Sequence, residues 1–403
     1  MPAGYYSGDK PNPNLKAFVE AHLQAHPYDA ETDDYAVPAF DHPINTTKAT
    51  AIYNMHTYWS KKPHDAIREY IRHYTQPGDL VLDPFCGSGG TALAALMEGR
   101  KAIAIDRSPA ATFITKNYCT PVDVNDLREA FEELKRKVKP EIDWLYETKC
   151  EKCDSKASIG YTVYSQVFEC ARCLSKVPLF DCLKTEGKTA AGKPRKVMAC
   201  PYCYARSITE EISTSSKKFG SIPVLASYTR QCKCKPKRDQ RRYNDKNPKK
   251  REFFEKYDLI KIKEIEEKEI PYWYPSNEFP KSFHLYERCA LHLQNINYIS
   301  DFYTKRSLWA LAAIREALNE IAKPDSATAA AAIWTAVTTV ALSGTKMLRE
   351  EKRAIQGGTY YIPSVSREIK ITNGIDYNIL QLLKAEEELQ SLLGRICKLL
   401  KIL

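Results

Sequence analysis

Two short apolar runs, Asp79-Leu-Val-Leu82 and Ala102-Ile-Ala-Ile105, each end in an acid, Asp83 and Asp106. Short apolar runs bounded by turn residues read as buried strands. Between them a glycine-rich turn, Cys86-Gly87-Ser88-Gly89-Gly90, enters Ala92 to Met97, whose small and apolar residues predict a helix that Gly99-Arg100 breaks. Upstream, Ala66, Ile67, Tyr70 and Ile71 recur at helical spacing behind Pro63, a residue suited to a first helical position. Gln76-Pro77-Gly78-Asp79 is a turn into the first strand. Downstream, Ser108 and Pro109 suit the cap and first position of a helix running to Asn117, and Leu127 to Val138 is amphipathic. The helical period then disappears between Lys149 and Cys234. It returns at Tyr257 to Glu269, Leu308 to Ala322, Ala327 to Leu342, and Tyr377 to the end.

These changes divide the chain into an irregular N-terminal arm (1–45), an α/β half-domain (46–148), a cysteine-rich insert (149–234), a basic and aromatic linker (235–299) and a helical segment (300–403). At 403 residues and 43% hydrophobic content the chain is long enough for two or three packed domains. Met1-Pro-Ala-Gly-Tyr-Tyr carries no basic-then-apolar leader, and Ala327 to Leu342 is shorter than the ~20 residues of a bilayer span and holds threonines, among them Thr335, Thr338 and Thr339. It reads as a buried helix, the expected location is the cytoplasm, and no membrane partner is expected. Thirteen cysteines in such a chain point to metal before disulfides.

Strand, glycine turn, helix, strand and acid make the nucleotide-binding half-unit of a doubly wound sheet. Gly87-x-Gly89-x-x-Ala92, with Asp106 nineteen residues after Gly87, also fits a dinucleotide fingerprint loosely. Asp83 discriminates between the ligands. A pyrophosphate over this turn would meet its carboxylate, whereas S-adenosylmethionine brings a sulfonium and an ammonium that an acid suits. Asp106 would then accept the ribose hydroxyls. No Lys-Ser/Thr follows the glycines, which excludes a Walker-type phosphate loop.

Asp83-Pro84-Phe85-Cys86-Gly87-Ser88-Gly89-Gly90-Thr91 resembles the S-adenosylmethionine motif of amino-methylating DNA methyltransferases, which act on adenine N6 or cytosine N4. Tyr58-Trp-Ser-Lys-Lys62-Pro63 resembles the family's Lys-Pro element, and Gly99 to Pro109 its next motif, over about residues 53–123. The resemblance implies part of a seven-stranded Rossmann-like fold. It implies a cofactor site built from Lys62, Pro63, Asp83, Pro84, Phe85, Gly87, Ser88, Gly89, Thr91, Asp106 and Ser108. It also implies double-stranded DNA as substrate, a restriction–modification setting, and a subgroup bearing a zinc-ribbon insert. Cys86 tempts a nucleophile reading, but its place in the cofactor turn suits a small packed side chain.

In the insert, Cys150-x-x-Cys153 and Cys170-x-x-Cys173 flank sixteen residues, a zinc-ribbon spacing, so these four are expected to form a first structural zinc site. Cys200-x-x-Cys203 and Cys232-x-Cys234 are expected to form a second. Cys119, Cys182, Cys289 and Cys397 lack such neighbours and read as buried thiols. The lysines and arginines between Lys233 and Arg251 are a candidate phosphate-contact surface, and Tyr272, Trp273 and Tyr274 are candidates for stacking on bases or for core packing.

An amino-methylating enzyme of this family also needs an Asp/Asn/Ser-Pro-Pro-Tyr/Phe element, which holds the flipped base and its exocyclic amine. No Pro-Pro dipeptide occurs in the sequence, so the catalytic residues are unknown. Only two or three strands of the expected sheet can be found. The chain therefore reads as the N-terminal, cofactor-binding portion of a longer or split methyltransferase, or as one with a rebuilt catalytic loop. The competing class is a non-catalytic, nucleic-acid-binding zinc protein that works with a separate catalytic or specificity chain. An RNA substrate is the variant of either.

Overall fold

The computed structural model describes residues 13–400 except 189–192, 214–215, 283, 353 and 358–359, and it leaves the side chains of 13, 188, 285 and 392–400 undescribed. The chain forms two compact units. The first comprises residues 1–133, 318–339 and 377–403, and the second 134–317 and 340–376. The long helices Val124–Leu145, Lys305–Ile321, Ala327–Ser343 and Ile371–Leu400 each contribute to both. No described helix is long and apolar enough to cross a membrane.

In the first unit, strand β1 (Leu80–Asp83) pairs in parallel with β2 (Lys101–Ala104), Asp83 standing opposite Ala104. Parallel neighbours require a crossover, and the helix Gly90–Met97 supplies it. Ala94 and Ala95 of that helix, Ile67 and Ile71 of the amphipathic helix His64–Tyr74, and Val81 and Ala102 of the strands form one apolar cluster. Gly99 (φ +74°) ends the crossover. The buried Arg100 guanidinium then donates to Thr75 Oγ1 (2.9 Å), Thr75 O (2.6 Å) and the Glu98 carbonyl, tying strand entry to helix exit. The helix predicted to begin at Pro63 begins at His64, with Pro63 in the capping position. Among the described residues this sheet has two strands, and Leu82 and Ile105 at its carboxyl end are 59% and 45% exposed.

The N-terminal arm is not wholly irregular, because Pro13–Ala25 is helical. Leu15, Phe18, Val19 and Leu23 do carry a helical spacing, which the surrounding Pro, Asn and His residues obscure. Past that helix, Tyr35 donates to Tyr74 O, Phe40 N to the Tyr74 hydroxyl, and the His73 ring meets Pro38 O, so the arm lies along His64–Tyr74. Ala327–Ser343 is the buried helix its apolar run predicts, with Ala329, Ala330, Ile333, Ala336 and Val337 in the core.

The second unit is built on an antiparallel sheet ordered β10-β4-β8-β9. β4 is Lys156–Glu169, β8 Lys218–Arg230, β9 Arg238–Arg242 and β10 Val365–Ile369. β3 (Glu147–Lys149) and β5 (Lys176–Pro178) pair with opposite ends of β4, and β6 (Leu183–Lys188) pairs with β7 (Pro194–Ala199) as a separate hairpin. Three arginines are buried in bidentate ion pairs or carboxylate clusters. Arg306 binds both oxygens of Glu368 (2.6 and 2.8 Å) and the Thr162 hydroxyl (2.7 Å). Arg241 binds both oxygens of Asp258 (2.6 and 2.7 Å). Arg230 binds Glu151 and Asp239. Each of these long side chains is desolvated against carboxylates that pair its charge, with carbonyl, hydroxyl or sulfur acceptors taking further donors, the condition under which a buried charge is tolerated.

Candidate functional site

The glycine turn is closed by backbone bonds before any side chain acts. Ile105 N donates to Asp83 O and Cys86 N to Ile105 O, both at 2.9 Å, which extends the β1–β2 ladder into the turn. Gly87 (φ +51°) and Gly89 (φ +80°) adopt left-handed backbone that residues with a Cβ rarely enter. A Cβ on Gly87 would meet Tyr58 Cε1 at 3.2 Å, and one on Gly89 would meet Thr115 at 2.8 Å. Gly89 N donates to Cys86 O (2.8 Å), and the helix follows at Gly90.

The two acids sit on either side of this turn. Asp106 accepts from Gly87 N (2.9 Å) through one oxygen and from Ser108 N (2.8 Å) through the other. Its carboxylate therefore fixes the turn and the start of Pro109–Tyr118 together, with lone pairs left for further donors. Ser108 caps that helix, accepting from Ala111 N at 3.4 Å. The Asp83 carboxylate accepts from Phe85 N (3.1 Å), its one hydrogen bond among the described residues, and Asp83 is half-buried. Pro84 is exposed and the Phe85 ring is 87% exposed, Thr91 is half-buried, and Ser88 is buried beneath the turn. Cys86 is also buried, 3.4 Å from Thr115 Oγ1, and burial pushes its thiol above the usual range. That environment suits packing and disfavours a thiolate nucleophile.

The Lys-Pro element is arranged otherwise than its sequence indicates. Lys62 is exposed, with its backbone carbonyl beside Gly90, whereas its neighbour Lys61 turns inward. The Lys61 ammonium donates to Tyr53 O (2.7 Å) and the Tyr118 hydroxyl (3.0 Å), and lies over both tyrosine rings. Burial lowers its pKa to about 8. Ser60 reaches this turn through a left-handed φ of +63°, and Tyr58 is set against Gly87. Lys61 is thus a half-buried cation beside the turn that the motif reading did not single out. Two adjacent lysines are indistinguishable until the loop's direction is known, and the tyrosines flanking Lys61 at a distance were the available signal.

All eight paired cysteines of the insert come together in two groups, but not in the expected pairing. Cys150 and Cys153 meet Cys232 and Cys234, and Cys170 and Cys173 meet Cys200 and Cys203, each set with its sulfurs within 4.8 Å of one another. The reason is strand geometry. β4 spans 14 residues between the first two Cys-x-x-Cys turns, roughly 40–45 Å of extended chain, so they cannot share an ion. Antiparallel β8 returns along β4, with Phe168 opposite Lys218 and Ala157 opposite Arg230, delivering Cys232 and Cys234 beside Cys150. The excursion through β6 and β7 sets Cys200 and Cys203 at the far end, 3.7 Å from Cys173 and Cys170, respectively.

The first two turns are built alike. In Cys150-x-x-Cys153-Asp154-Ser155, Asp154 N donates to Cys150 O and Cys150 N to Ser155 O. In Cys170-x-x-Cys173-Leu174-Ser175 the same two bonds recur, and Asp154 and Leu174 both take left-handed backbone. Four thiols converging on one point are a donor set that can hold a tetrahedral metal ion. Of the isolated cysteines, Cys182 is buried as expected, Cys119 and Cys289 are only partly so, and the side chain of Cys397 lies outside the described residues.

The basic run is partly consumed internally. Arg241 is buried on Asp258, and Lys250 binds Asp239 at 2.8 Å, so neither is free to meet a phosphate. Lys233, Lys235, Lys237, Arg238, Arg242, Lys246, Lys249 and Arg251 remain exposed. The aromatic loop divides as well. The Tyr272 hydroxyl binds Glu141, Trp273 is 58% exposed with the Arg315 guanidinium 4.2 Å from its ring centre, and Tyr274 lines a cavity.

A DNA methylase family model matches residues 7–117, the segment that contains the glycine turn and both acids. Over 47 residues the chain is 45% identical to a putative methylase, YubD, of Escherichia coli K12, which covers 12% of this chain and 21% of that protein. It is 26% identical over 101 residues to the type II methyltransferase M.MjaII of Methanocaldococcus jannaschii (25% and 19%). It is 45% identical over 62 residues to the type II methyltransferase M.EcaI of Enterobacter cloacae (15% and 14%). The chain thus spans about a fifth or less of the length of these relatives. No solved structure matches it. The likeness to DNA methylases is thus confined to the segment that carries the glycine turn and the residues around it.

Proposed function

We propose that the first unit binds S-adenosylmethionine at the glycine turn and that the chain serves amino-methylation of double-stranded DNA, at adenine N6 or cytosine N4, in a restriction–modification setting. The observation that carries this reading is the carboxylate of Asp106 holding Gly87 N and Ser108 N at the carboxyl end of a parallel β1–helix–β2 unit. Asp106 keeps acceptor capacity for ribose hydroxyls, and half-buried Asp83 offers a negative charge toward the cationic methionine end. Pro63 with Lys62, Pro84, Phe85, Ser88, Gly89 and Thr91 complete the set of residues placed around that turn. The cofactor supplies an electrophilic methyl group; the residues of this chain bind it, orient it and exclude water.

The same reading gives the two four-cysteine groups a structural zinc ion each, since a site filled by four thiolates leaves no position for a reactive water. The exposed lysines and arginines between Lys233 and Arg251 would contact backbone phosphates. No residue of this sequence is assigned to hold the target amine, because it contains no Pro-Pro element.

A specific observation favours a second reading, in which this chain binds cofactor and nucleic acid while a separate chain catalyses. Parallel sheets are found with both faces covered, yet among the described residues this one has two strands, and Leu82 and Ile105 at its carboxyl end and Phe85 in the turn are exposed. Incubating the purified chain with methyl-labelled cofactor and duplex DNA, followed by nucleoside mass spectrometry, separates the two. N6-methyladenine or N4-methylcytosine formed by the chain alone supports the first reading. Cofactor binding without transfer supports the second. Absence of cofactor binding contradicts both.

A further inference from the structure

The second unit carries a half-open cavity of about 780 Å³ that neither the glycine turn nor the cysteine groups use. Its volume lies in the range of about 300–1,000 Å³ common to small-ligand sites. β4 contributes Tyr164, the loop after the helix Ile260–Glu267 contributes Tyr274, and Tyr303 precedes the helix Lys305–Ile321. Three lysines reach the same cavity: Lys218 from the start of β8, Lys305 from the first turn of that helix, and Lys346 from the segment after Ala327–Ser343.

The lining chemistry is that of planar rings beside under-used cations. An ammonium group carries three donors. Lys305 spends one on Glu266 O (2.7 Å), Lys346 spends one on Asp301 O (3.0 Å), and the Lys218 ammonium has no hydrogen bond or ion pair among the described residues. Two carboxylates, Glu266 and Asp301, share the lining, and Asp301 already accepts the amides of Asn297 (2.8 Å) and Tyr298 (2.9 Å). Cationic charge therefore exceeds anionic charge, and its donors are mostly uncommitted. Burial lowers the Lys346 pKa, against the pull of Asp301 and Glu266, so an anion placed there would relieve a desolvated cation. Burial also holds the Tyr303 phenol up to about 12, leaving it a neutral hydroxyl.

We propose that this cavity is a nucleotide site, taking one nucleoside monophosphate unit with its base against the tyrosine rings and its phosphate on the lysines. Bare phosphate would leave the rings and most of the volume unused, and a neutral apolar ligand would desolvate the ammonium groups without pairing them. A free mononucleotide and a residue extruded from a nucleic-acid strand present the same chemistry. The site is independent of the cofactor reading, because all its residues lie in the second unit.

The test is calorimetric titration of the full chain with dCMP and with a single-stranded dodecamer, using Lys346→Met, the exposed Lys218→Glu, and Asp106→Ala as variants. The Lys218 change is at a surface position, so it remains informative if Lys346→Met fails to fold. Binding of dCMP that weakens at least tenfold in both lysine variants and is unchanged in Asp106→Ala supports a site for the free nucleotide. Binding of the dodecamer alone, weakened by the same two variants, supports a site for a strand residue. Binding that is lost in Asp106→Ala places the ligand at the glycine turn and overturns the proposal. Failure of both probes to bind, or binding indifferent to the lysine changes, overturns it as well.

Discussion

Replacing Gly89 by alanine isolates what the turn demands of its backbone. At φ +80° a residue with a Cβ incurs about 1–2 kcal/mol from the left-handed conformation alone. The added carbon would also sit 2.8 Å from Cα, Cγ2 and Oγ1 of Thr115, and because one of these is backbone, a rotamer change cannot relieve the contact. Overpacking of this kind costs about 1–3 kcal/mol, which brings the total to roughly 2–5 kcal/mol. Gly78 provides the matched control, because it too is left-handed (φ +97°) but a methyl added there would have nothing within 4 Å. Gly78→Ala should lose only the conformational part, about 1–2 kcal/mol. Urea unfolding of both variants with unchanged slopes gives the difference directly. The helix Pro109–Tyr118 carries Thr115, so Gly89→Ala should also weaken cofactor binding while Gly78→Ala should not. A Gly89→Ala variant no less stable than Gly78→Ala would refute the close approach of turn and helix.

Metal content checks the cysteine pairing. Elemental analysis should find about two zinc ions per chain. Changing Cys150, Cys153, Cys232 and Cys234 to serine should leave one, whereas changing Cys150, Cys153, Cys170 and Cys173 should leave none; one ion retained in the latter would restore the sequential pairing. Two buried groups in the first unit give opposite pH responses. Burial lowers the His56 pKa from 6.5 to about 4, so the folded chain keeps a neutral imidazole where the unfolded chain takes up a proton. Stability should therefore fall as pH drops from 6.5 toward 4, by about 2–3 kcal/mol, and His56→Gln should flatten that limb. Burial raises Glu386 from 4.5 to about 7, so its folded carboxyl stays protonated, and stability present below pH 4.5 is lost as pH rises through 7. Glu386→Gln should be more stable than the parent at pH 8 in thermal unfolding, and no gain there would contradict the burial of its carboxyl.

The glycine turn was legible because its information is local. Two apolar runs, the acids that end them and the glycines between them fix a strand–turn–helix–strand unit with few alternatives, and β1, Gly90–Met97 and β2 follow. The cap at Ser108 was local as well. The cysteine partition was not, because it depends on β4 and β8 pairing over their whole length, and sequence spacing carries no record of which strand returns beside which. For the same reason Arg241 and Lys250 looked like members of a basic surface until β9 and the segment that follows it set them against Asp258 and Asp239. Lys61 and Lys62 were separable only once the loop's direction put one ammonium between two tyrosine rings. Polar residues that serve long-range ion pairs have no periodicity to announce them, and Arg306 with Glu368 is the clearest case.

The proposed function depends above all on the turn between Asp83 and Asp106 holding S-adenosylmethionine. Photolabelling the full chain with methyl-tritiated cofactor, then mapping the labelled peptide, tests it most directly. Label should fall between Tyr53 and Tyr118, and Asp106→Ala should remove most of it while leaving the fold intact by circular dichroism. Label confined to the second unit, or labelling of the turn that is indifferent to Asp106, would contradict the claim.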